Sequence, residues 1–204
     1  MNPKVQPFFS IVTAVYNAEK VIEETAASLR DQDFGDFEWI VVDGGSTDRT
    51  LEVIRPYVVE GRDTIISEPD RGVYDAMNKG LRRARGKVVQ FQNAGDRFAD
   101  AAVLGAVAAE FDDEVEAVYG DAIYELANGL TIFKPGLDIA IDQYRSIPFC
   151  HQSLYTRRET HLRHPFDLTY RIAADYAMIA AMHQAGVRMK RLKRTLNVDT
   201  IEPT

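Results

Sequence analysis

Three carboxylates stand out among the 31 acidic residues because of what precedes them in the chain. Asp43 follows the apolar run Trp39-Ile-Val-Val42 and precedes Gly44-Gly45, so its side chain should emerge where a buried strand stops. Glycines there let a ligand approach the backbone, and a following helix N-terminus favours anions. Such a carboxylate can accept hydrogen bonds from a base N–H or from ribose hydroxyls. The same residues also make ordinary turn and cap chemistry. Asn93-Ala-Gly-Asp96 follows Val88-Val-Gln-Phe91, at the end of a second buried strand. Hard divalent cations take oxygen ligands, so Asp96 offers a carboxylate and Asn93 a weaker amide oxygen. The competing reading is a loop aspartate that caps the next helix. Asp175 lies between Ile172-Ala-Ala and Tyr-Ala-Met178. Burial in such a setting raises a carboxyl pKa and suits a general base, although a carboxylate in the first turn of a helix is also favoured by the macrodipole.

Around these acids lie polar residues suited to an anionic, sugar-bearing ligand. Arg71 can pair with phosphate or stack on a base, Asp70 can bind sugar hydroxyls, and Lys79 flanks the same cleft entrance. Tyr74-Asp-Ala-Met-Asn-Lys79 reads equally as the start of an amphipathic helix with Ala76 and Met77 facing inward. In Cys150-His-Gln152, His151 is a candidate metal, phosphate or acceptor contact. Cys150 beside it lacks the second pair of ligands a zinc site needs.

The elements that must position these residues follow from periodicity. Phe8–Val15 and Phe37–Val42 are apolar, β-branched runs that read as buried strands, joined by Thr64–Ser67 and Lys87–Phe91. Between them run helices. The first is capped by Asn17 and buries Ile22, Ala26 and Leu29; the second starts near Ser46 or Thr47 with Leu51 and Ile54 inward; the third covers about Val73 to Ala84. Strands alternating with helices predict βαβ units and a parallel sheet. Further on, a helix is expected near Ala101 to Phe111, a strand over Val115 to Tyr119, a hairpin at Asn128-Gly129, and a helix from Ala173 to Gln184 ended by Gly186. The chain therefore reads as one α/β domain, with residues 1–98 a nucleotide-binding half and 99–204 a smaller mixed half for a second substrate.

Composition narrows the function. A chain of 204 residues, 46% hydrophobic and 27% charged, suits one soluble domain. No run approaches the roughly 20 apolar residues that span a bilayer, and no charged n-region with an apolar h-region opens the chain. The single cysteine excludes an internal disulfide and fits a reducing compartment. A net charge of -7 argues against bulk nucleic-acid binding. Arg188-Met-Lys-Arg-Leu-Lys-Arg194 is a basic run, either a solvated face or a patch for anionic lipid headgroups or a pyrophosphate-linked acceptor.

Taken together, Ser10–Asn17, Ile40–Asp48, Asp70–Gly80, Phe91–Asp96, Cys150–Gln152 and Ala173–Asp175 occur in the order found in family 2 glycosyltransferases, which this chain resembles. The resemblance is closest to bacterial enzymes that build surface polysaccharides, including colanic-acid-type transferases. It implies a GT-A (Rossmann-like) fold with a mostly parallel central sheet flanked by helices. It also implies inverting transfer of a hexosyl-type sugar from a nucleotide diphosphate donor, a UDP-sugar first, to a glycan or polyprenyl-lipid-linked acceptor. Asp175 would be the catalytic base, and Asp96 would hold Mg²⁺ or Mn²⁺ on the pyrophosphate. Thr13, Tyr16, Asn17, Asp43, Asp70, Arg71, Lys79 and Asn93 would border the donor, with His151 and Gln152 at the acceptor or phosphates. The setting would be cytoplasmic, at the inner face of the membrane where the basic run can touch it.

Two departures accompany the resemblance. Asn93 and Gly95 replace acidic residues of the usual Asp-x-Asp motif, so the cation would be held weakly. The chain also stops at Asp199-Thr-Ile-Glu-Pro-Thr204, earlier than the family pattern leads one to expect. A dinucleotide-dependent oxidoreductase would want Gly-x-Gly-x-x-Gly where Val15-Tyr-Asn-Ala-Glu19 stands. A non-catalytic nucleotide-sugar or glycan-binding module is the other alternative.

Overall fold

The computed structural model describes residues 6–139 and 148–201. Residues 1–5, read above for a secretory signal, and 202–204, part of the early terminus, lie outside them. The first half alternates as the apolar runs predict: β1 (Phe9–Val15), α1 (Ile22–Arg30), β2 (Phe37–Asp43), α2 (Thr50–Ile54), β3 (Thr64–Ser67), α3 (Val73–Arg83) and β4 (Val88–Phe91). Next come β5 (Arg97–Phe98), α4 (Val103–Ala108), β6 (Ala117–Leu126) and β7 (Thr131–Lys134). A 3₁₀ turn at His151–Ser153 leads into β8 (Leu154–Arg157), α5 (Arg158–Arg163), α6 (Ala174–Gln184) and β9 (Met189–Ile201).

Among the described residues all nine strands form one sheet, ordered β3-β2-β1-β4-β8-β6-β9-β5, with β7 beside β6. Following the pairings outward from β1, strands β3, β2, β4, β6 and β9 share its direction, and β5, β7 and β8 oppose it. The sheet is mixed and mostly parallel. Side chains alternate across it as a strand requires: Val12 and Ala14 join a core with α3 and α6, while Phe9, Ile11 and Val15 join a second core with α1, α2 and α4. Cover on both faces explains why β1, β2 and β4 are buried throughout.

Several local expectations shift by physical competition. Helix α2 starts at Thr50, later than Ser46 or Thr47, because those residues are engaged in the loop before it. Ser46 bonds Asp43 and Thr47 bonds Asn17, while Asp48, one residue before the Arg49 N-cap position, accepts from the Thr50 amide at 3.0 Å. Asn17 does not cap α1, which begins at Ile22 after Val21 with no side-chain cap. The hairpin at Asn128-Gly129 forms between β6 and β7, with Gly129 at φ 82°. The basic run lies at the start of β9, and four of its five basic side chains face acids. Arg188 faces Glu116, Lys190 faces Glu110 at 2.8 Å, Arg191 faces Asp121 at 3.1 Å and Arg194 faces Asp100 at 2.7 Å. Among the described residues no helix is long and apolar enough to cross a membrane.

One close approach fixes the entry of β4 beside β1. A Cβ on Gly86 would lie 2.5 Å from the Ser10 nitrogen and 2.6 Å from the Phe9 carbonyl carbon. Both are backbone atoms of a fully buried strand, so neither yields by a rotamer change. Gly86→Ala is therefore expected to destabilise the fold by about 3 kcal/mol, the upper part of the overpacking range. A urea melt checks this; a midpoint equal to that of the parent chain would contradict the close approach.

Candidate active site

Strands that share a direction end at one edge of the sheet, and the acids gather there. Asp96 follows β4 on a turn whose amide returns to the Asn93 carbonyl at 3.1 Å. Gly95 sits in that turn at φ 94°, a conformation that excludes ordinary side chains although space is available. Thr25 of α1 holds the turn, accepting from the Gly95 amide at 2.9 Å. Asp199 arrives from β9, which ends at the same edge. Asp175 arrives from the first turn of α6. These three acids line one cavity of about 310 Å³, together with Tyr124 and Cys150-His151-Gln152.

The cavity is short of positive charge. Asp96 is 6% exposed and accepts from Gln152 Nε2 at 2.9 Å and the Thr200 amide at 3.3 Å. Burial and the neighbouring Asp199 carboxylate push its pKa up to about 7. Burial likewise raises Asp199, which accepts from Cys150 Sγ at 2.8 Å and from Asn197. Burial also raises the Cys150 thiol and, with Cys150 and Asp199 beside it, the Tyr124 phenol. Asp175 behaves oppositely to the sequence expectation. Burial pushes it up, but hydrogen bonding and charge from His151, with the Tyr176 amide and Tyr74 hydroxyl, outweigh burial and hold it below the usual carboxylate range. His151 Nδ1 lies 3.3 Å from Asp175 Oδ2, and Tyr74 Oη donates to Oδ1 at 3.2 Å. Asn93 Nδ2 lies 3.3 Å from His151 Nε2, on the side of the ring away from Asp175. Ala173, just before α6, takes φ 67°, a left-handed conformation that costs roughly 1–2 kcal/mol in a non-glycine residue. That strain sets the angle at which Asp175 enters.

The other expected residues form a second centre at the end of β2. Asp43 is fully buried, and its carboxylate accepts from Ser67 Oγ at 2.6 Å and the Ser46 amide at 3.1 Å. Asp70 stands so close that a Cβ on Gly44 would be 2.5 Å from its Oδ2; the same Cβ would meet Tyr16 at 3.4 Å. Asp70 also accepts from the Gly72 amide at 2.8 Å in the loop that leads into α3. Tyr16 is largely exposed, and Arg71 extends to solvent with Asp75 3.6 Å away. Asn17, at φ 48°, accepts from the Thr47 amide at 2.9 Å and donates its own amide to Ser46. Thr13 is buried against Trp39, whose indole N–H donates to its hydroxyl at 2.9 Å. Lys79 reaches the Pro69 carbonyl at 2.7 Å and Glu68 at 3.0 Å, bracing the loop before α3. Asp96, Asn93, His151, Gln152 and Asp175 are thus brought together, while Asp43, Asp70 and Tyr16 form a neighbouring group.

The donors present fit a hard divalent cation. The Asn93 amide oxygen is buried without a hydrogen-bond partner, and Asp96 and Asp199 are adjacent buried carboxylates whose mutual repulsion such an ion relieves. Among the described residues no group of three or more His, Cys, Asp or Glu side chains is arranged to hold a metal. Phosphate oxygens and water would have to complete the shell. Asp199 and the donor role of Cys150 were not found from sequence. The available signal was Leu196-Asn-Val-Asp-Thr200, a strand with polar residues at alternate positions and no matching solvent face.

The protein without cation should record this charge imbalance. A carboxyl whose folded pKa exceeds its unfolded value of about 3.9 stabilises the fold at low pH. That contribution is lost as pH rises toward about 7. The slope is at most about 1.4 kcal/mol per pH unit for one such group. The melting temperature without cation should therefore fall between about pH 4 and 7, and Asp96→Asn should flatten the fall. A parent chain whose melting temperature is level across that range would refute the buried repulsion.

Comparison with known proteins places this geometry in a family. The profile described as "Glycosyl transferase family 2" matches residues 10–194. A PGL/p-HBAD biosynthesis glycosyltransferase of Mycobacterium bovis is 35% identical over 178 residues, 83% of this chain and 67% of the relative. The putative teichuronic acid biosynthesis glycosyltransferase TuaG of Bacillus subtilis is 36% identical over 95 residues, 46% of this chain and 38% of TuaG. Among solved structures, S. aureus TarS 1-349 in complex with UDP-GlcNAc superposes with a TM-score of 0.77 at 22% identity, covering 96% of this chain. The mannosyltransferase PcManGT from Pyrobaculum calidifontis, in complex with GDP-Man and Mn²⁺, gives 0.73 at 22% identity and 96% coverage. Those two likenesses establish the fold alone, and the chain spans 59% and 57% of their lengths. By the profile match and the mycobacterial relative, the chain belongs to glycosyl transferase family 2.

Proposed function

We propose that this chain transfers a sugar, with inversion, from a nucleotide diphosphate sugar to a hydroxyl of a glycan or lipid-linked acceptor during bacterial polysaccharide assembly. The observation that carries the reading is the shared cavity: an aspartate held ionised, Asp175, faces the same space as the oxygen donors Asp96 and Asn93. The resemblance to family members known by name for PGL/p-HBAD and teichuronic acid biosynthesis supports the class of product. The complexes of TarS with UDP-GlcNAc and of PcManGT with GDP-Man support a nucleotide-sugar donor, UDP first.

The residues divide the work by position. Strands β2 and β4 flank β1, so at about 4.8 Å per strand their ends stand roughly 10 Å apart. The nucleoside lies at the β2 end, where Asp43, Asp70 and Tyr16 gather, with Arg71 able to reach its phosphates. The diphosphate extends to Asp96. Asp96, Asp199 and Asn93 Oδ1 would hold Mg²⁺ or Mn²⁺, which when bound neutralises charge on the leaving diphosphate. Asp175 accepts the proton of the acceptor hydroxyl as that oxygen bonds to the anomeric carbon and the bond to the diphosphate breaks. Its lowered pKa keeps it ionised at neutral pH, and His151 and Tyr74 fix its two oxygens. One displacement inverts the configuration and requires no enzyme nucleophile. A lipid-linked acceptor would place the reaction at the cytoplasmic face of the membrane.

A panel of UDP-, GDP- and dTDP-sugars with Mn²⁺ tests the reading through nucleoside diphosphate release. Asp175→Asn is expected to lower kcat by about 10²–10⁴-fold, the worth of a general base, while thermal stabilisation by the donor persists. A chain that gains stability from a donor yet releases no diphosphate with any acceptor glycan would be a binding module instead.

A further inference from the structure

The proposed reading leaves Cys150-His151-Gln152 without a shared role, yet the three side chains make one pattern. Cys150 Sγ lies 2.8 Å from Asp199 Oδ2, His151 Nδ1 lies 3.3 Å from Asp175 Oδ2, and Gln152 Nε2 lies 2.9 Å from Asp96 Oδ2. Three consecutive residues each meet a different acid, and those acids come from β9, α6 and the loop after β4. We propose that this tripeptide is a positioning clamp, which holds the proton acceptor and the cation-binding carboxylates at fixed offsets from one short turn.

Local structure explains how neighbours in sequence reach three separate elements. Residues 151–153 form a 3₁₀ turn with Cys150 as its leading cap. His151 and Gln152, both in the turn, point about 120° apart, and Cys150 precedes them in extended backbone at ψ 136°, which sends its thiol in a third direction. The backbone of the turn is anchored from both flanks: the Gln90 side chain of β4 donates to the Gln152 carbonyl at 2.8 Å, and Ser153 Oγ donates to the Asp121 carbonyl of β6 at 3.2 Å. Each prong is also braced. Asn93 meets the far nitrogen of His151, Cys150 Sγ touches Gln152 Oε1 at 2.7 Å, and Asn197 holds the second oxygen of Asp199. Sidedness follows from the chemistry: of the acids His151 meets only the proton acceptor, its contact with Asn93 being to Nδ2 and not to the cation-facing Oδ1, whereas Cys150 and Gln152 meet the two cation-binding carboxylates.

The inference rests on the roles given to Asp175 and Asp96, and it predicts a separation that a general structural role would not produce. Groups that orient ligands of a metal are worth about 10–100-fold in affinity or rate. His151→Ala should lower kcat by about that factor, with the dissociation constant for Mn²⁺ in the presence of UDP, read by electron paramagnetic resonance, within about twofold of the parent. His151→Asn, which keeps an N–H near Nδ1, should recover at least about tenfold of the loss. Gln152→Met and Cys150→Ala should do the reverse, weakening Mn²⁺ with UDP about tenfold or more, and Cys150→Ser, which retains a donor, should not. Each position compares a variant that loses the donor with one that keeps it, or one prong with another, so a common loss of stability does not mimic the result. Equal effects of all variants on both readouts, or no gain in His151→Asn over His151→Ala, would overturn the clamp while leaving the transferase reading intact. A parent chain with no diphosphate release from any donor would remove that reading, and the clamp with it.

Discussion

Buried like charges are the constraint around which this edge of the sheet is organised. Asp96 and Asp199 lie together, held by neutral donors and by no Lys or Arg among the described residues, and Asp175 enters the same cavity. Burial of an unpaired carboxylate costs several kcal/mol even after relaxation. The fold offsets this with polar groups that carry no charge. Gln152, Cys150, Asn197 and the Thr200 amide each give a proton to one of the pair. Behind them Gln92 donates to Asn197 at 2.6 Å, and Gln90 donates to Gln92. These bonds explain why fully buried glutamines stand in β4 and directly after it, among apolar residues, with Gln90 Oε1 the one oxygen of the pair that has no hydrogen-bond partner among the described residues.

The sheet topology brings the donors to the acids. Strand β8 runs antiparallel to β4, with Tyr155 opposite Gln90. Its first residue therefore lies at the carboxyl end of β4, and the turn that precedes it is delivered to the same edge as Asp96. Had β8 been parallel, residues 150–152 would lie at the opposite end of the sheet, beside Gly86 and Lys87. The reversal of direction next to β4 is thus a requirement of the site. Strand β9, parallel to β6, then returns Asp199 to that edge from far along the chain.

Sequence patterns revealed those parts whose physics is local. Strands β1 to β4 and helices α1, α3 and α6 follow from apolar runs and 3.6-residue spacing, and Gly129 and Gly186 mark a turn and a helix end. Asp43, Asp96 and Asp175 were visible because each stands beside a recognisable break. What escaped depends on partners distant in number. The charge balance of the basic run required Glu110, Glu116, Asp100 and Asp121 to be known as neighbours. The direction of the Asp175 shift required His151, 24 positions earlier. Val73 occupies a helical core register yet is exposed, because it is the first residue of α3 and stands at the edge of the sheet.

Asp199 shows most clearly why a motif understates the site. Read along the chain, Asn93-Ala-Gly-Asp96 offers one carboxylate and a turn in which Gly95, at φ 94°, has no side chain to give. Coulomb's law, however, counts charges by distance, not by sequence position. Strand β9 supplies a second carboxylate to the same cavity, and burial together with that neighbouring charge raises the Asp96 pKa to about 7. The electrostatic demand for a cation is therefore set by two strands far apart in the chain. Loss of an acid from the loop need not weaken the site in proportion, because the second acid stands on a strand whose register with β6 fixes its position.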